Sequence, residues 1–174
     1  MSNQKTEAFN YFSSKIDDAY RSVFGGTIDP IVKNTELYKQ KLLYFSCLFD
    51  KSLFKTFNNW ESWEKGPVEI DVNKLFNGYD DPTKPPSLPP KIGNKIDKAV
   101  SKFFRFLQTN DCKQLASNKD GLSELSHRLK SWGAARYRNG SPQRNPMDSM
   151  QGDKNALEQL ATAGKLQHYN TVRF

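Results

Sequence analysis

Cysteine and histidine are scarce in this sequence: 174 residues hold two of each. Cys47 and Cys112 form neither a metal-ligand pair nor a redox CxxC, and two histidines are too few to suggest a zinc cage. Cys47 lies inside an apolar stretch, as a buried thiol of a reducing compartment would. Long hydrophobic runs are missing too. The longest, Leu42–Leu48, is interrupted by Ser46 and is far too short to span a bilayer, and the mean hydropathy of -0.77 argues against a membrane protein. The N-terminal MSNQKTEAFNYFSSKIDD carries no apolar core followed by a small-residue cleavage site, so the expected setting is cytoplasmic. Glycine-rich phosphate loops, paired metal carboxylates and HExxH are all absent. The expectation is a chain that is not an enzyme, with no catalytic residue, metal or cofactor.

What is present suits a globular core. Phe9, Phe12, Ile16, Tyr20, Val23 and Phe24 recur at three- and four-residue steps, which predicts an amphipathic helix over 8–24 stopped by Gly25-Gly26. A second helix follows Thr35, a candidate N-cap. Its stripe of Leu37, Leu42, Phe45 and Leu48 marks it as central, with Lys39 and Lys41 laying stems on the core edge and their charge in water. Aromatic residues crowd 52–68, where either a short helix or an irregular strand fits. Gly66-Pro67 ends that stretch, and afterwards a short alternation at Val68, Ile70 and Val72 competes with a helix over 71–76. Residues 77–93 read as a proline-rich surface loop.

Beyond it, Ile96, Val100, Phe103, Phe104 and Leu107 define another strong helix. Lys91, Lys95, Lys98, Lys102 and Arg105 give that helix a basic face relieved only by Asp97. Shorter helices are expected at 122–129, 131–137 and 153–163, and the tail 165–174 is expected to be weakly structured. The fold class is therefore mainly α: one compact helical domain over 1–174, with room for a short β element after the Gly66-Pro67 corner.

Three segments stand out in order: KLLYF at 41–45, WEKGPVEID at 63–71 and LSELSHRLKSWGAAR at 122–136. Residue by residue they are core (Leu42, Leu43, Tyr44, Phe45), a chain corner (Trp63, Gly66, Pro67, Val68) and a histidine, His127, placed to brace Trp132. Together they resemble the small bacterial Panacea-domain (SocA-like) antitoxins, over roughly residues 9–160. The chain departs from that pattern where the family has proline-tryptophan after the histidine, since here the pair is Ser131-Trp132. The resemblance implies a helical antitoxin that binds and blocks a cognate toxin protein, with the motif residues as scaffold.

Partner choice is expected on the surface beside them. The corner could present Glu64, Lys65 and Glu69 on one edge. The stretch 125–147 holds Arg128, Lys130, Arg136, Arg138 and Arg144 without an acid, interleaved with Trp132 and Tyr137. That composition suits a protein interface, a nucleic-acid surface or a solvated face. A net charge of +7 favours an acidic partner without naming it. The second reading is a phage or mobile-element protein that inhibits a host defence factor or binds nucleic acid through its basic surface.

Overall fold

A computed structural model describes residues 3–76 and 88–174. Helix α1 (Asn3–Phe24) buries Phe9, Phe12, Ile16 and Tyr20 along one stripe. It ends where Gly25 takes a φ of 73° and its N–H reaches the Arg21 carbonyl at 2.9 Å. A single turn, α2 (Pro30–Lys33), is capped by the Asp29 carboxylate. Helix α3 (Glu36–Phe49) starts at Thr35, whose hydroxyl accepts the Tyr38 N–H. Every α3 residue from Gln40 to Leu48 is buried, because α5 and α6 cover it from two sides and the hairpin covers a third.

The aromatic stretch resolves as a 3-10 turn (Lys51–Lys55) and then a hairpin of β1 (Trp60–Trp63) and β2 (Gly66–Glu69). Trp60 faces Glu69 and Trp63 faces Gly66 in antiparallel register. Gly66-Pro67 therefore opens β2 instead of ending an element. The reversal falls at Glu64 and Lys65, and Gly66 holds a φ of 114° that glycine tolerates. Helix α4 (Ile70–Phe76) follows directly, so the short alternation there belongs to a helix from Ile70 onward.

Helix α5 (Pro90–Thr109) takes its first turn from the expected loop, since proline at the first helical position already has the required φ. Residues 77–87 of that loop lie outside the described residues. After a 3-10 turn (Lys113–Ser117) come α6 (Lys119–Ser126), α7 (Lys130–Arg136) and α8 (Asp153–Thr162). The architecture is mainly α with one two-stranded antiparallel sheet among the described residues. Phe45 and Phe103 stack at 5.0 Å between α3 and α5, and Tyr44 meets Trp60 edge-on at 5.1 Å. Among the described residues no helix is long and apolar enough to cross a membrane.

The C-terminal segment corrects the expectation of a weakly structured tail. Residues Leu166–Thr171 form a 3-10 helix that buries Leu166 and Tyr169. The Asn118 amide donates to the carbonyls of Asn170 at 2.9 Å and Val172 at 3.1 Å. Gly121 lets this backbone approach so closely that a Cβ there would sit 2.2 Å from the Tyr169 carbonyl. The tail lacks periodicity because backbone bonds to Asn118, not an apolar stripe, hold much of it down.

Candidate functional site: a clamped hairpin beside a cleft

The three sequence segments meet at the hairpin. From α3, Lys41 Nζ donates to the Pro67 carbonyl at 2.8 Å. The Gln40 amide bonds both backbone groups of Glu69, its Nε2 donating at 3.1 Å and its Oε1 accepting at 3.0 Å. A side chain thus stands where a third strand would pair. From α6, Ser123 Oγ donates to the Lys65 carbonyl at 2.6 Å. From α7, the Trp132 indole N–H donates to the Trp63 carbonyl at 2.7 Å and Arg136 donates to the Ser62 carbonyl at 2.9 Å. The other edge of β1 pairs with the loop after α7: Ser62 N–H reaches Asn145 O and Met147 N–H reaches Trp60 O, both at 2.9 Å. Gly66 sits at the crossing point, where a Cβ would lie 2.3 Å from Ser126 Oγ and 2.8 Å from Lys41 Cε.

A cleft of about 280 Å³ opens between α3 and the hairpin. Lys41 contributes to its lining, Trp63 forms a wall, and Glu64 and Lys65 stand at its edge. The Arg144 guanidinium lies 3.6 Å from the centroid of the Trp63 ring, which stiffens that wall. Lys41 is almost fully buried, against the expectation of a solvated ammonium; burial lowers its pKa to about 7, with Glu36 pulling the other way.

His127 stacks on Trp132 at 4.1 Å, with Nδ1 3.7 Å from a Glu124 carboxylate oxygen. Burial lowers its pKa most. Glu124 and the Glu64 backbone raise it, while Lys41 and Arg136 lower it. Its Nε2 is buried and makes no hydrogen bond of normal geometry. Both cysteines are buried free thiols, and burial raises their pKa, that of Cys112 to about 11. Thiols held neutral in this way are poor nucleophiles. Among the described residues, no three His, Cys, Asp or Glu side chains converge as metal ligands.

The expected contact residues separate by exposure. Glu64, Lys65, Arg128, Lys130, Tyr137 and Arg138 are exposed. Glu69 is not: at 0 % exposure it pairs with Lys5 of α1 at 2.8 Å, because its place opposite Trp60 turns it inward. Trp132 is also buried, and Arg136 is half-buried on the hairpin backbone. Arg128 donates to the Tyr169 hydroxyl at 3.1 Å, and Arg138 bonds Pro146 O at 2.8 Å and Asp148 at 2.9 Å. Leu42, Leu43 and Tyr44 are core, Pro67 and Val68 are buried, and Trp63 is half-buried.

Compared with protein-family models, curated proteins and solved structures, the chain has no match. Sequence reasoning missed Gln40, Lys41, Ser123 and Asp153 as polar hubs. Asp153 is fully buried, accepting from the Tyr44 hydroxyl through one oxygen and from Ser131 N–H and Oγ, at 3.0 and 2.9 Å, through the other. The only local signal was a polar residue at an apolar period, as with Lys41 beside Leu42 and Phe45.

Proposed function

We propose that this chain is an antitoxin: it binds a cognate toxin protein in the cytoplasm of a bacterium and blocks it by direct contact. The observation that carries the reading is the convergence of all three Panacea-like segments on one hairpin, which they hold rigid beside an open cleft. The tip and rim offer Glu64, Lys65 and Arg144, with Trp63 between them. Just after α7, the half-exposed Tyr137 extends the face, meeting Trp132 edge-on. Aromatic and arginine anchors on a rigid platform are what a protein interface uses, since little entropy is lost on docking.

Co-expression with the product of the neighbouring gene tests this. Growth should be restored and a complex should co-purify. Tyr137→Ala with Arg144→Ala should weaken that complex about 10- to 100-fold, as loss of two anchors does. Failure of rescue together with absence of any complex removes the proposal.

A second reading keeps the scaffold and changes the partner: a phage or mobile-element protein that inhibits a host defence factor or binds nucleic acid through the 128–144 segment. Arg128, Arg136, Arg138 and Arg144 all have partners within the chain. That internal use weighs against a nucleic-acid role for this segment, whereas a host protein remains a fit for the cleft face.

A further inference from the structure

Helix α5 carries five cations and one acid, so it holds +4 of the chain's net +7. Lys91, Lys95, Lys98, Lys102 and Arg105 follow one another at alternating steps of four and three. At 3.6 residues per turn they fall within an arc of about 80° and run about 21 Å along the helix. Lys91, Lys98, Lys102 and Arg105 are exposed. Among the described residues none of these four has an ion pair or hydrogen bond, while Lys95 donates to Ser52 Oγ at 2.9 Å. Asp97 lies about 120° round the helix from Lys91. There it accepts the Tyr11 hydroxyl of α1 at 2.7 Å, so its charge faces the α1 groove and leaves the row uninterrupted. Across that groove Asp18 is flanked by Lys15 at 3.9 Å and Arg21 at 3.5 Å.

We propose that this row of cations on α5 is a sequence-independent binding surface for the phosphate backbone of duplex nucleic acid. Protein interfaces centre on buried aromatic or aliphatic anchors and are depleted of lysine. Here four of the five cations are lysine, and the positions flanking the row on the Asp97 side, Asn94 and the half-buried Ser101, are small and polar. Single strands are held by stacking bases on exposed aromatics. The α5 aromatics Phe103 and Phe104 are buried and Phe106 is packed against the core, so the face has no stacking platform. A regular row of cations, four of them without a partner in the chain, with neither anchor nor platform fits a regular row of phosphates.

The row is a different surface from the hairpin face and stands independently of the antitoxin reading. The test is fluorescence anisotropy of the full chain with a mixed-sequence 24-base-pair DNA, the same duplex in RNA, and single-stranded DNA. Four to five phosphate contacts give a slope of about −4 in log K against log salt, hence about 200-fold weaker binding at 200 mM than at 50 mM salt. The triple variant Lys98→Glu, Lys102→Glu, Arg105→Glu should bind at least about 30-fold more weakly at 50 mM, with a flatter salt slope. Its circular dichroism and melting should match the wild type, since all three side chains are exposed and unpaired.

Arg128→Glu with Arg138→Glu should stay within about threefold of wild type in the same assay. DNA and RNA duplexes binding alike supports backbone recognition, and a strong preference for either shows which duplex shape the row fits. Lack of duplex binding at 50 mM, binding untouched by the α5 variant, or tighter binding to single strands than to duplex would each overturn the proposal. So would an acidic protein that needs the α5 cations while duplexes do not bind.

Discussion

At the scale of single residues, Gly66 and Lys41 carry the most consequence. Gly66 combines a left-handed φ with a crossing that leaves no room for a methyl group. Gly66→Ala should destabilise the fold by about 3 kcal/mol or more, read as a fall in the urea midpoint. A change below about 1 kcal/mol would mean that Ser126 and Lys41 can move aside.

Lys41 titrates lower when folded than when unfolded, so between the two values the unfolded chain binds more protons. Stability should therefore rise with pH from about 7 upward, by about 1–2 kcal/mol by pH 8.5. Above about pH 9 the trend reverses. Cys47 and Cys112, then Tyr11, Tyr38 and Tyr44, ionise more readily unfolded than folded, which favours unfolding. Urea denaturation of wild type and Lys41→Met at pH 7 and 8.5 separates these effects. The variant should lose the rise, and a persistent rise would place its source at another group.

At the scale of elements, the hairpin is a short two-stranded sheet that would be marginal alone. Gln40 covers one edge and residues 145–147 cover the other, so no open strand is left at the site. The tail is an element of the same kind, held by side-chain to backbone bonds. Asn118→Ala removes those donors and the acceptor of the Gly121 N–H. Amide exchange over 166–172 should then approach that of an open segment while α3 and α5 stay protected. Protection unchanged in the tail would show that burial of Leu166 and Tyr169 suffices.

At the scale of the whole molecule, a buried cluster of one lysine and two carboxylates joins the first turn of α1 to the hairpin and α4. Lys5 of α1 meets Glu69 at 2.8 Å and Asp71 at 2.6 Å, and Glu69 also accepts the Asp71 N–H at 2.8 Å. Removing one partner leaves a buried charge unpaired, so Lys5→Met should cost about 3–5 kcal/mol in thermal or urea unfolding. The double variant Lys5→Met, Glu69→Gln should recover a good part of it. If both variants cost the same, the pairing contributes little and α1 is held by its apolar stripe alone.

The long helices were legible from the sequence, because α1 and α5 each bury one face and repeat their apolar residues at the helical period, while α3, covered on three sides, is apolar over most of its length. The helical class, the Thr35 cap, the central place of α3 and the basic row on α5 all follow from that local rule. The turns and the hairpin were only partly legible. A two-stranded pairing depends on what covers its edges, and here the cover comes from residues 40 and 145–147. Glu69, read as an exposed contact, became a buried ion-pair partner because its register opposite Trp60 turned it toward Lys5, 64 positions earlier. The sequence by itself determined where the long helices α1, α3 and α5 run and how much positive charge α5 would show. Only the tertiary structure decided which polar residues are buried and where the three motifs meet, because a hydrogen bond between distant segments leaves no periodic trace in either one.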